Sequence, residues 1–142
     1  MDRATAIDEA KRLVDRSRFV MVGSTGEQGY PNIKAMFRLE HEDLTRFFLS
    51  TNTSSKRVSQ FRSDPRACLY LADFDDFQGL MLIGDMTVRT DAATKQRLWQ
   101  PGWEIYYPGG ATDPDYCVLE FTARTGNYYH GLENTTFEVQ GA

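Results

Sequence analysis

Residues 32–56 read NIKAMFRLEHEDLTRFFLSTNTSSK, and the fold is decided by how this stretch alternates. In NIKAMFRL a period of two puts Lys34, Met36 and Arg38 on one face and Ile33, Ala35, Phe37 and Leu39 on the other. HED makes a turn, TRFFLST is a second strand, and a short helix is predicted over Ser55–Ser63. The joint between that strand and the helix, STNTSSK, holds five hydroxyls and a lysine in seven residues. Donors of that kind at a helix N-terminus make a natural seat for a phosphate. The same composition also suits a turn that only caps a helix, and Lys34 with Arg38 suits a solvated edge strand that resists aggregation. A three-strand meander starting at FVMVGS would bring Lys34 beside Ser50 and merge the two signals into one site.

Working outward, Ile7, Ala10, Leu13 and Val14 recur at helical spacing after Thr5, which is read as an N-cap, so an amphipathic helix is predicted over residues 6–16. Asp64-Pro65 ends the helix begun at Ser55 and leads into the strand RACLYLAD. LMLIGDMTVRT reads as a long strand bending at Gly84, and Asp91 caps a helix over AATKQRLW. QPGWEIYYPGGATDPD, rich in Pro, Gly and aromatics, is an ordered loop or short helix packed by its rings. YCVLEFTAR and TGNYYHG read as a hairpin, followed by a short strand near TTFEV. Six to eight strands with inserted helices define a mainly β, α+β class with a closed or partly closed β-barrel, in one domain spanning 1–142 with the barrel over 19–139.

Composition sets the outer bounds. With 41% hydrophobic and 25% charged residues the chain is an ordinary globular domain. No apolar stretch resembles a secretion signal or a membrane span, so a cytoplasmic protein without membrane contact is expected. Cys68 and Cys117 sit in apolar runs without Cys or His at ligand spacing, and DFDD lacks a supporting ligand array, so no metal site is expected. The net charge of −4 speaks against a nucleic-acid surface. Residues 34–66 nonetheless carry seven Lys/Arg against four acids.

Five blocks in order, PNIKAMF, FFLSTNTSSK, FRSDPRACLYL, GDMTVRTD followed by LW, and YYPGGATDPDYCVLEF, resemble the pyridoxamine 5'-phosphate oxidase-like superfamily, and more narrowly its short general stress protein branch. The likeness runs from about Asp8 to Val139. It implies an FMN-binding split β-barrel, dimeric, with the cofactor in clefts at the subunit interface. It also implies cofactor contacts from Lys34 and from the backbone of Ala35 and Met36. The phosphate ligands it implies are Ser50, Thr51, Ser54, Ser55 and Lys56, while a register with Thr51, Ser55 and Arg57 fits as well. Trp99 is assigned to the flavin ring, and Met36, Trp103, Tyr106 and Tyr107 are further candidates.

The implied activity is that of an FMN-dependent oxidoreductase acting on a small molecule. The alternatives are a flavin-binding stress protein without turnover, or a binder of haem or a deazaflavin in the same cleft. Vitamin B6 oxidation itself is not expected, since the sequence stops at TTFEVQGA without the basic C-terminal segment of the true oxidases. Lys34 also stands where that family often has Arg, a point charge in place of a forked donor. Neither His41 nor His130 has a nucleophile beside it in sequence, and no catalytic residue is assigned.

Overall fold

The computed structural model describes residues 1–139. Helix α1 (Arg3–Arg16) opens the chain and turns Ala6, Ala10, Leu13 and Val14 into the core. Its N-cap is Asp2, whose carboxylate accepts from the Thr5 amide, so the helix starts earlier than Thr5 suggests. An aspartate satisfies first-turn amides at least as well as a threonine and favours the positive helix end.

Eight antiparallel strands follow: β1 (Phe19–Thr25), β2 (Pro31–Phe37), β3 (His41–Glu42), β4 (Arg46–Asn52), β5 (Arg66–Asp73), β6 (Gln78–Arg89), β7 (Tyr116–His130) and β8 (Glu133–Glu138). Helix α2 (Lys56–Ser63) joins β4 to β5, and α3 (Ala92–Leu98) follows β6. The strand order is β2-β1-β5-β6-β7-β4-β3, with β8 also paired to β7. No helix among the described residues is long and apolar enough to cross a membrane.

Two expectations are overturned here. The meander is not formed, because β4 pairs with β7 over its whole length, Arg46 opposite Thr122 through Asn52 opposite Tyr116, while β2 pairs with β1. Strand β2 reaches β4 only where the sheet curls round on itself, through Leu39 N–H to Phe48 O at 2.8 Å and Phe48 N–H to Glu40 O at 3.0 Å. Nor is there a hairpin within 116–130. Strand β7 runs unbroken, pairing with β6 throughout, with β4 in its first half and with β8 in its second. Gly126 lies in mid-strand, where a Cβ would come within 2.8 Å of the Phe137 ring.

The bend in β6 stands where it was expected. The β6–β7 register shifts between Ile83 and Gly84, and a Cβ on Gly84 would lie 2.0 Å from Thr122 O, so only glycine admits the approach. That bulge lets the sheet coil around the main core of Val20, Val22, Phe47, Leu69, Leu82 and Phe121. A second cluster, built from Phe48, Leu98, Tyr107, Tyr116 and Val118, lies between β4, β7 and the 100–115 segment. The sheet region of β1, β2, β5 and β6 turns a row of apolar side chains outward, with Ile33 71% and Phe37 56% exposed beside Phe19, Met21, Met81 and Ile83.

Candidate functional site

The hydroxyl-rich joint folds as its composition demands. Ser55 is the N-cap of α2, its Oγ accepting from Val58 N–H at 3.3 Å, and Thr51 Oγ1 donates to the same oxygen at 3.3 Å. The first-turn amides of Lys56 and Arg57 have no intrahelical acceptor, and with the helix dipole they point positive charge out of this end. Lys56 is exposed and Arg57 half-buried.

Ser54 is tied through its backbone. Its amide donates to Asp115 Oδ1 at 2.9 Å, Asn52 Nδ2 donates to Asp115 Oδ2 at 2.8 Å, and Thr53 N–H donates to Asp115 O at 2.8 Å. The Ser54 amide first, and then the Asn52 side chain, hold the Asp115 carboxyl below its ordinary range. Asp115 therefore clamps the turn through the Ser54 amide and the Asn52 side chain. Of the two registers open in the sequence, the one built on Thr51 and Ser55 has its hydroxyls at the free helix end.

Gln60, one turn along α2 from Lys56, joins this helix to the strand carrying Lys34. Its Nε2 donates to Asn32 Oδ1 at 3.0 Å, and its Oε1 accepts from Ser24 Oγ at 2.5 Å. Asn32, Lys34 and Met36 share one face of β2, so the tie sets the Lys34 face alongside α2. Glu27, Asn32, Lys56, Ser59 and Gln60 line a cavity of about 340 Å³, so a carboxylate shares it with the Lys56 ammonium. The Asn32–Gln60 bond, and not a β2–β4 ladder, joins the two segments that carry Lys34 and Lys56.

The other expected residues are divided. Met36 packs partly against the main core, and Ala35 is exposed on the opposite face of β2. Ser50 lies at the edge of a larger cavity of about 750 Å³ between the ends of β2 and β4 and the 100–107 segment. Burial pushes the neighbouring Tyr107 phenol up, partly offset by the Ser50 hydroxyl. Trp99 sits behind this wall, its ring 5.7 Å from Trp103 and 5.3 Å from Tyr116, and Trp103 and Tyr107 form the cavity surface. Arg38 also borders the cavity, but its guanidinium donates to Ser17 O at 3.0 Å, Leu39 O at 2.9 Å and Asp15 O at 3.5 Å, closing the C-terminal end of α1.

Asn32, Gln60 and Asp115 went unread in the sequence. Only the DPD at 113–115, two acids bracketing a proline next to a strand, carried a local signal of the clamp. A further surprise is Lys95 of α3, buried with Nζ donating to Asp113 O at 3.0 Å and lying 5.4 Å from the Tyr116 ring centroid. Tyr116 in return donates to Lys95 O at 2.8 Å, and burial holds its phenol up to about 12.

A coiled antiparallel sheet with this strand order defines the split-barrel class. Residues 6–130 match the model of the pyridoxamine 5'-phosphate oxidase family, and the chain belongs to that family. It is similar to the crystal structure of a protein related to general stress protein 26 of B. subtilis, of the pyridoxinephosphate oxidase family, from Clostridium acetobutylicum. The two share 50% identity over 98% of this chain and 97% of that one, with a TM-score of 0.88. General stress protein 26 from Bacillus anthracis str. Sterne shares the fold at 16% identity, over 94% of this chain and 98% of that one, with a TM-score of 0.77. A heme binding protein from Mycobacterium smegmatis shares it at 15% identity, over 97% of this chain and 60% of that one, with a TM-score of 0.75. No curated protein matches the sequence.

Proposed function

We propose that the chain is an FMN-binding oxidoreductase acting on a small molecule, with the flavin phosphate held between β2 and the N-terminus of α2. The observation that supports this reading is the Asn32–Gln60 tie, which joins the strand carrying Lys34 to the helix that Thr51, Ser55 and Lys56 open. The donor set suits a phosphate dianion: two ammonium groups, two hydroxyls and the free amides of a helix end. Thr51 and Ser55 orient it, Lys34 and Lys56 neutralise it, and Asp115 keeps the turn in shape. Bound flavin supplies electron and hydride transfer, while these residues supply position and charge.

The outward apolar row on β1, β2, β5 and β6 supports a homodimer in which this face is covered, since a patch of that kind on a monomer marks an interaction site. Haem is the weaker ligand for this chain. His41 is engaged by Asp15 and Asp43 O, and His130 by Glu9 and Asp76, all away from the β2–α2 groove.

Flavin titration tests the reading. Removing Lys56 in Lys56→Ala deletes one charge-assisted contact, worth about 1.5–3 kcal/mol, and lowers FMN affinity by roughly 10- to 150-fold. Unchanged affinity in that variant would refute the phosphate site. Reduction of bound flavin by NADH or NADPH tests the oxidoreductase part, and retention without reduction by any donor would leave a flavin-storing protein.

A further inference from the structure

The larger cavity lies across β4 from the hydroxyl-rich joint. Ser50 and Thr51 are neighbours on the strand and belong to opposite faces: Thr51 bonds to Ser55 at the start of α2, and Ser50 lines a space of about 750 Å³, within the range of small-molecule pockets. Its apolar walls are Phe37, Leu39, Trp103, Ile105, Tyr106 and Tyr107. Trp103 is held edge-on against Trp99 at 5.7 Å, Tyr107 at 6.2 Å and Tyr116 at 6.0 Å, so the aromatic wall is set by packing before any ligand arrives.

Among the described residues one charged side chain lines this cavity, Arg38, beside the neutral Ser50 and Gln100. Its guanidinium is anchored on three backbone carbonyls, Nε on Ser17 O at 3.0 Å, Nη1 on Leu39 O at 2.9 Å and Nη2 on Asp15 O at 3.5 Å. Those bonds use three of the five N–H donors an arginine carries and fix the group in place without cancelling its charge. The carbonyl end of α1 offsets about half a unit charge at most. The carboxylates that flank it in the chain are engaged elsewhere, Asp15 by His41 at 3.0 Å and Glu40 by Arg97. Burial pushes the Arg38 guanidinium below its ordinary value, and the charge of Asp15 offsets that only in part. A half-buried cation held still without a paired carboxylate is stabilised by an anion brought in on a ligand.

Aromatic walls around one fixed guanidinium define the shape and charge of that ligand. A planar ring covers the Trp103 and Tyr107 faces, and one carboxylate on its edge meets the two remaining N–H donors. A phosphate dianion would keep one of its charges unmatched within the cavity. We infer that this cavity is a binding site for a planar aromatic compound carrying a single carboxylate, with Arg38 as the counter-charge and Trp103 and Tyr107 as the ring wall. The site is separate from the phosphate groove and stands whether or not the chain holds flavin.

Calorimetric titration with 2-naphthoate and with 2-naphthamide tests it, the probes sharing a ring system and differing in charge. The expected result is 2-naphthoate binding about tenfold tighter or more, the size of one charge-assisted contact. Tyr106→Ser, at a side chain 66% exposed, should weaken both probes several-fold while the melting temperature stays within roughly 2 °C. Arg38→Gln should bring 2-naphthoate down to the level of 2-naphthamide; where the loss of its α1 anchors unfolds that variant, the probe pair and Tyr106→Ser still decide. Equal affinities for the two probes, tighter binding of the amide, or no binding of either would overturn the inference. So would a 2-naphthoate affinity unmoved by Tyr106→Ser, since the anion would then sit at another basic region. Saturating FMN should leave both affinities unchanged. Displacement of 2-naphthoate by FMN would give the cavity to the flavin and overturn the separate site, whereas 2-naphthoate held by a chain that fails to bind FMN would defeat the flavin reading alone.

Discussion

Replacing Gln60 by leucine keeps the volume of the side chain and removes the tie between α2 and β2. Two partners are stranded: the Ser24 hydroxyl, on a buried residue, and the Asn32 amide oxygen, on a half-buried one. At about 1–1.5 kcal/mol for each unsatisfied group the loss is roughly 2–3 kcal/mol. In a chain of 142 residues that lowers the melting temperature by roughly 5–10 °C. A drop of that size alone would say only that Gln60 stabilises the fold. The functional consequence is read from two ligands, FMN and riboflavin, which differ only in the phosphate. If Gln60 aligns Lys34 with Lys56, Gln60→Leu weakens FMN by about 5- to 10-fold, equivalent to part of one charge-assisted bond, and leaves riboflavin unaffected. Fluorescence quenching of each flavin, titrated at a temperature well below the transition, supplies the comparison. Equal losses for both ligands, or no loss for either, would refute the positioning role.

Gly84→Ala should be among the most damaging single substitutions, by about 3 kcal/mol or more, because the new methyl meets Thr122 O of β7; a urea midpoint close to wild type would argue that the bulge can relax. His130 titrates above its ordinary value, chiefly through its bond to Glu9, with Asp76 on its other nitrogen. The protonated ring therefore ties β7 to α1 and to the β5–β6 turn, a contribution complete below pH 6.5 and lost as pH rises through the raised value. Tyr128, which shares Glu9, and Arg16, Gln78 and Asp73 complete the charged and polar surroundings. Melting curves between pH 5 and 9 should show that loss in wild type and not in His130→Gln; parallel profiles would contradict it. Ile33→Asp puts a charge on the most exposed member of the outward apolar row and, on the homodimer proposed above, should shift the species seen in sedimentation velocity from dimer to monomer, whereas an unmoved dimer would place the interface elsewhere.

What could be read from the sequence divides along a physical line. Elements set by local chemistry were legible: the Ser55 and Asp91 caps, the stop at Asp64-Pro65, the bend at Gly84 and the amphipathic face of α1. Choice of partner was not. Strand β4 alternates equally well beside β2 or β7, and only the coiling of the whole sheet decides between them. The hairpin expected within 116–130 was not formed, because β7 runs on past Gly126, which makes room for Phe137. The donors of the proposed site, Thr51, Ser55 and Lys56, stand together in sequence, while the residues that brace their segment, Asn32, Gln60 and Asp115, act across 28 and 61 positions of chain. Ser54 shows the limit most clearly: its hydroxyl reads like those of its neighbours, and only the fold reveals that its amide is bonded to Asp115, 61 positions along the chain.

The most direct test is a crystal structure of the chain grown with FMN. The phosphate should lie in the groove between β2 and α2, within hydrogen-bonding reach of Thr51, Ser55 and Lys56 and facing Lys34. A phosphate bound elsewhere, with those side chains turned to solvent, would contradict the account at its base.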